Sequence, residues 1–402
     1  ESINLDRNRN LISMDGFQNI TMDAPEASLR FYLNFDLESL GNFIQSVAGQ
    51  VNIDFSQNLS LVNLQGLEVV TRTKDLSINN SAQGLSGLEN IEQVDGALRI
   101  WGNSSSSFVS LQPLQGLTMT GADATQANLI GSNFHLSNID GLFATNTTLT
   151  NGMSLISNDN LQSMDFMLDV VAMEGQLTIW EMDQFENLAA FQNITGNLTA
   201  INIILMDNLT NLDALSGITG ISEFIFINNN ERLENLDGLS NIVLNSSIFN
   251  DGTQRLYLKV NNSLTDISGI SGLDLASNND NIELEIEGNP LLAICDYINI
   301  CDLLENSGNA EISIINNAPG CANEVEVAEA CGFLINTVQG QVRYDFNADG
   351  CDPADNGAPR LQIEVNDGTE SFIVITDNQG DYAKALFTEG NFTTSIVRSE
   401  ER

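Results

Sequence analysis

The sequence predicts a mainly β protein: a parallel β-solenoid, then a Cys-rich helical cap, then a small β-sandwich. Three observations predict it. An asparagine recurs three residues before a leucine anchor, four of the five cysteines cluster just past the last repeat, and the repeat then gives way to alternating strands.

The repeat comes first. Asn8, Asn34, Asn58, Asn133, Asn158, Asn230, Asn261 and Asn289 stand three residues before Leu11, Leu37, Leu61, Leu136, Leu161, Leu233, Leu264 and Leu292. Apolar pairs such as Ile53/Phe55, Met153/Leu155 and Leu284/Ile286 stand eight and six residues before the same anchors. A unit repeating about every 25 residues cannot bury its apolar face alone, so the coils stack. Each coil gives one short strand whose period-2 apolar pair points inward. About twelve such coils fit into residues 1–292. The anchors are read at Leu111, Leu136, Leu161, Phe185 and onwards, with one blurred coil near Leu85.

Backbone accounting explains the asparagine. The turn after each strand leaves buried N–H and C=O groups that need partners. An inward Asn carries two donors and an acceptor, so a stacked column satisfies the turns coil after coil. A second phrase follows the anchor, as in Leu233-Glu-Asn-Leu236-Asp-Gly238-Leu239-Ser-Asn241-Ile242; its glycine suits a tight bend. With that phrase the chain resembles the leucine-rich-repeat superfamily, and within it receptor L-domain solenoids and repeat proteins secreted by Bacteroidota. The resemblance covers residues 1–292 and implies a binding or assembly role.

An open solenoid end needs covering, and residues 293–334 are read as the cap. Helices are expected around Ile294–Leu304 and Gly320–Cys331, the second with an Asn N-cap, with a strand Glu311–Ile315 between them. Secreted Bacteroidota repeat proteins end in a similar Cys-rich cap. Within each helix Cys295 and Cys301, or Cys321 and Cys331, would stand too far apart for a bridge. Cross-pairing of Cys295–Cys321 with Cys301–Cys331 is preferred, and the other cross-pairing stays open. Disulfides imply an oxidising compartment, hence a secreted or cell-surface protein. Zinc is disfavoured, because no CxxC occurs and His135 is the single histidine. The chain opens directly on a repeat, which reads as a mature or trimmed start.

Residues 335–402 form the third region. Alternating strands are expected at Val338–Tyr344, Leu361–Val365 and Phe372–Thr376. Between the first two, Asp345, Asn347, Asp349, Cys351, Asp352 and Asp355 lie in a D-x-N-x-D-G run that sets oxygen ligands at alternate positions, the pattern of a calcium loop. Asn356 stands where such a loop wants a glutamate, so Asp352 or Asp355 would substitute. Thr376-Asp-Asn-Gln-Gly380-Asp-Tyr382 resembles a phrase of small immunoglobulin-like sandwiches. Those include the calcium-binding B repeats of Gram-positive surface adhesins and carboxypeptidase-regulatory-like domains. The resemblance implies calcium binding. The chain shows no obvious closing signal at its end, which leaves room for further modules or a secretion signal beyond it.

The net charge of -40, from 54 acidic and 14 basic residues, excludes nucleic acid and anionic membrane surfaces as natural partners. No apolar run of about 18 residues offers a span. No Walker loop, GxSxG or HExxH occurs. Glu181/Asp183 and Glu285/Glu287 read as surface charge, not as a glycosidase dyad. The chain is therefore expected not to be an enzyme.

Outward positions of the central strands carry Ile156, Trp180, Ile204, Phe226 and Tyr257, read as one stripe. An exposed apolar patch commonly marks an interaction site. The expected role is an adhesin or binding scaffold for a protein or glycan, and the alternative is a self-associating subunit of an extracellular filament or surface layer. Calcium is the one cofactor expected.

Overall fold

The structure is a computed structural model of the 402-residue chain. It describes residues 1–122, 126–244, 253–278, 282–307, 310–346, 350, 352, 354–366, 368, 371–387 and 389–397. The chain is mainly β, with a parallel β-solenoid of about twelve turns and few helices. It divides into two compact units, Glu1–Gly220 and Ile221–Arg402.

In the first unit, one strand per coil builds a parallel sheet: Ser2–Asp6, Glu26–Tyr32, Gln50–Ser56, Arg72–Asn79, Leu98–Trp101, Asn128–Gly131, Met153–Ile156, Gly175–Trp180 and Gly196–Ile204. Side chains alternate across the sheet. Ile53, Phe55, Leu76, Ile78, Leu155 and Ile179 are fully buried, as the repeat requires. Phe31 stacks on Phe55 with ring centroids 4.6 Å apart.

The asparagines form a buried ladder. Asn34 accepts from the Asn8 backbone N–H at 2.9 Å, and Asn58 accepts from that of Asn34 at 3.2 Å. Each amide also donates backwards: Asn34 to the Leu5 carbonyl at 2.9 Å, Asn133 to Ile100 at 2.9 Å and Asn158 to Ile130 at 2.9 Å. The Asn34 amide also donates onward to Asn58 Oδ1 at 3.0 Å, so one side chain ties together three successive coils. The blurred coil keeps the ladder with a smaller rung, because Ser81 accepts from Asn58 N–H and its own N–H donates to Asn103, both at 3.2 Å. Met182 then stands at the asparagine position, its sulfur 3.4 Å from Asn158 N.

The anchor assigned to Leu111 is corrected. Asn103 is the rung of that coil, and the serine run after it lengthens the turn. Phe108 takes the anchor place, 1% exposed, and Leu111 occupies the next inward position.

Every coil turns through a left-handed residue just before its rung. Non-glycine residues there include Leu33 (φ 57), Ser157 (φ 48), Glu181 (φ 54) and Leu205 (φ 52). A side chain in this region is strained, and the turn persists because the next coil's carbonyl receives the turn N–H, as Leu33 to Ser56 at 3.0 Å.

In the second unit, Phe224–Asn228 pair with Arg255–Lys259, which pair with Ile282–Glu287, which pair with Glu311–Ile315, all in parallel. The ladder runs from Asn230 to Asn261 (3.2 Å), Asn289 (3.0 Å) and Asn317 (2.9 Å).

Two short helices follow the coils, Ile298–Glu305 and Glu324–Ala330. They are shorter than expected, so Cys295, Cys321 and Cys331 lie outside them. Asn323 caps the second, accepting from Glu326 N–H at 3.0 Å, while the Glu326 carboxylate reaches back to Gly320 N–H at 2.6 Å. Cys295–Cys321 and Cys301–Cys331 are paired, with Cα separations of 5.4 and 5.7 Å. These bridges tie the helical segment to itself and point to an oxidising environment. No helix among the described residues is long and apolar enough to cross a membrane.

The C-terminal segment holds antiparallel pairs, Asn336–Gln341 with Asp381–Leu386, and Gln362–Asn366 with both Ser371–Ile375 and Thr393–Ile396. Ile363, Val365, Val374 and Leu386 form its small core. A buried ion pair joins this segment to the second helix, with Lys384 Nζ 2.7 and 3.1 Å from the Glu324 carboxylate oxygens.

Candidate functional site: two faces of the parallel strands

Outward side chains of a parallel sheet line up in rows across the strands, because the register is uniform. In the first unit one row reads Asp6, Tyr32, Ser56, Asn79, Trp101, Gly131, Ile156, Trp180, Ile204. Its first four members are polar or, at Tyr32, flanked by the Arg7 and Arg30 guanidinium groups at 5.7 Å. From Trp101 onwards the row is apolar. Trp101 is 39% exposed and Trp180 40%, while Ile156 and Ile204 are half-buried.

Gly131 lies between Trp101 and Ile156, and the Leu129 side chain leans over it. A Cβ placed there would come within 3.2 Å of Leu129 Cδ1 and 3.4 Å of Ile156 Cβ. Neither indole makes a ring or cation contact or finds an acceptor for its N–H among the described residues. Flanking the row on one side are Arg99 and Ser154, half-buried, and on the other Ser132 and Ser157, with Ser157 Oγ donating to the exposed Glu181 at 2.6 Å. Burial holds the Arg99 guanidinium below its ordinary pKa, against the opposing pull of Asp75.

The structure thus brings together Ile156, Trp180 and Ile204, three of the five stripe residues, and adds Trp101. Phe226 and Tyr257 belong to a different row, four residues before their rungs where Trp180 is two before Met182. Trp101 escaped the sequence reading because its coil was registered on Leu111. Asn103, two residues after Trp101, was the signal that would have found it.

The second unit's face is chemically different. Phe226 meets the Tyr257 ring edge-to-face at 5.8 Å, and Lys259 Nζ lies 5.0 Å from the centroid of that ring. The Tyr257 hydroxyl donates to Glu283, which also receives Arg255 Nε at 3.0 Å. Lys259 pairs with Glu285, and Arg360 pairs with Glu287. Burial, followed by the Glu283 hydrogen bond and charge, pushes the Tyr257 phenol well above its ordinary range. Burial also holds the Lys259 ammonium low, assisted by Arg360 and opposed by Glu287. Every polar group of this cluster is engaged within the fold.

A groove of about 710 Å³ runs beside the strand Glu311–Ile315, with Gln339, Gln341, Asp377 and Asp381 along its other wall. Its most buried carboxylate, Glu324, is already held by Lys384.

Of the expected calcium ligands, Asn347, Asp349 and Cys351 lie outside the described residues. Asp345 accepts from Gly350 N–H at 3.1 Å, Asp355 from Asp352 N–H at 2.9 Å, and Asp352 from Ala354 N–H at 2.6 Å. Among the described residues, no group of three or more His, Cys, Asp or Glu side chains is arranged to hold a metal ion. His135 is exposed beside the Asn133 rung.

Comparison finds no protein-family model, no curated protein and no solved structure that matches the chain.

Proposed function

We propose that the protein is a secreted or cell-surface binding scaffold, an adhesin whose solenoid presents the Trp101–Ile204 row to a partner. One observation carries this reading: two half-exposed indoles stand in one apolar row, on strands that are paired along both edges. Fold stability does not call for large apolar groups at such positions, and tryptophan is enriched where surfaces bind. The disulfides support an extracellular setting.

The test is binding of the purified chain to arrays of extracellular proteins and glycans, repeated with Trp180→Ser. Retained binding by the variant removes the row from the reading. Light scattering of the same samples reports self-association; growth of particles without a partner would replace the adhesin by the filament subunit. The loop from Asp345 to Asp355 offers hard oxygen donors of the kind calcium takes, and calcium there would stiffen the C-terminal segment. Calcium should then raise the unfolding temperature of that segment, and EGTA should reverse the change.

A further inference from the structure

The shape and chemistry of the row narrow its ligand, on the premise that the row binds at all. A stable protein interface covers roughly 800 Å² on each partner. The apolar row is one residue wide except beside Gly131, where Leu129 adds a second apolar side chain, and from Trp101 to Ile204 it crosses five strands, about 19 Å at the usual strand spacing. Arg99 and Ser154 border it on one flank, with Leu129 between them, and Ser157 with Glu181 on the other. That ribbon is too narrow for a folded partner's surface and suits a single extended chain.

A peptide that binds by strand addition gains its affinity at a sheet edge with unpaired backbone groups. Here the strands from Leu98–Trp101 to Gly175–Trp180 are each paired on both sides, so their backbone groups are already used. A ligand crossing this face meets side chains only. The side chains offered are flat indole faces with free N–H donors, bordered by hydroxyls, a guanidinium and a carboxylate. A sugar ring fits that set, because its C–H face packs on an aromatic ring while its equatorial hydroxyls reach outward to polar groups. Charge narrows the class again. A chain of net charge -40, with Glu181 beside Trp180, repels uronate or sulfated polymers.

We propose that the row binds a neutral polysaccharide laid across the strands, stacked on Trp101 and Trp180. These rings stand three strands apart, about 14 Å, a span that a short oligosaccharide bridges. Between the two rings lie Gly131, Leu129 and the half-buried Ile156, an apolar floor for the intervening sugars.

The experiment uses a convenient property: Trp101 and Trp180 are the two tryptophans of the chain, so tryptophan emission reports on this row alone. The full chain is titrated with hexasaccharides of glucose (β-1,4 and β-1,3), mannose and N-acetylglucosamine, with heparin and oligogalacturonate as anionic controls. A saturable emission change with at least one neutral hexasaccharide is expected. Trp101→Ala and Trp180→Ala should each weaken binding by about tenfold or more, measured by calorimetry, with an unchanged unfolding temperature. Gly131→Leu, which crowds Leu129 and Ile156 between the two rings, should weaken it as well. Silence across the neutral panel, response to the anionic sugars alone, or affinity indifferent to both Trp variants overturns the proposal. If a protein partner from the array is lost with Trp180→Ser while the sugars stay silent, the ligand class is wrong and the scaffold reading stands. If Trp180→Ser leaves all array binding intact, both fail.

Discussion

The faces of the two units are built on the same coil and use their aromatic residues in opposite ways. In Ile221–Arg402 the aromatic pair is consumed by the fold: Phe226 and Lys259 pack on Tyr257, and Glu283 takes its hydroxyl. In Glu1–Gly220 the indoles of Trp101 and Trp180 contact no other ring or cation among the described residues, and their N–H groups are unclaimed. An exposed aromatic is therefore not by itself a binding residue. What separates the two cases is whether neighbouring rows supply partners, and only the first unit leaves the rings open.

The ladder is common to both units, so breaking it should hurt them alike. Asn133→Ala and Asn261→Ala each delete a buried amide that bridges three coils and leave backbone groups unpaired. Each should cost about 3 kcal/mol in chemical denaturation. A cost under about 1 kcal/mol at either site would mean the ladder is not what fixes the turns.

The faces should then separate. Phe226→Ala removes the edge-to-face contact and part of the cover over Tyr257, costing about 1.5 kcal/mol. Trp180→Ala should change stability by no more than about 0.5 kcal/mol. Equal costs at the two positions would erase the distinction between a structural and a presented ring.

Strain at the turns gives a smaller effect of opposite sign. Val260 holds φ 54 before the Asn261 rung, a conformation costly for a β-branched residue. Val260→Gly should raise stability by about 1 kcal/mol, visible as a higher denaturation midpoint. Destabilisation would show that the Val260 side chain packs usefully against its neighbours.

The smallest effect is a pH slope, which Asp266 contributes in the second unit. The Ser268 backbone N–H, joined by the Tyr297 hydroxyl and opposed by burial, holds the Asp266 carboxyl below its ordinary value of 3.8. Its contribution is therefore present above pH 3.8 and is lost as the pH falls through the lower folded value. Asp266→Asn should flatten the acid limb of the stability curve below about pH 4. Tyr297, whose phenol burial and Asp266 together push up to about 12, should then titrate lower. In the first unit Asp95 shows the same sign: its hydrogen bonds from Arg72, Gln93 and Thr120 outweigh burial.

Much of the fold was legible because the repeat encodes it locally. Fixed spacing between an apolar pair, an Asn and a Leu is enough to state a strand, a buried rung and an anchor, as Asn133 and Asn158 demonstrate. Legibility failed where the spacing changed. The serine run after Asn103 shifted the anchor to Phe108 and hid Trp101. Ser81 and Met182 fill rungs without being asparagine, since a hydroxyl can accept the turn N–H and a thioether can fill the space. The pairing of Cys295 with Cys321 agreed with the favoured alternative, but the helices proved shorter than their sequence pattern.

The sequence by itself determined the stacking of coils, the inward residues and the rungs, because these depend on contacts between equivalent positions one repeat apart. The tertiary structure alone decided which outward residues share a row and which of them remain free. Row membership depends on strand register, and freedom depends on side chains arriving from neighbouring coils and, at Glu287, from Arg360 far along the chain. No periodicity in the sequence reports either one.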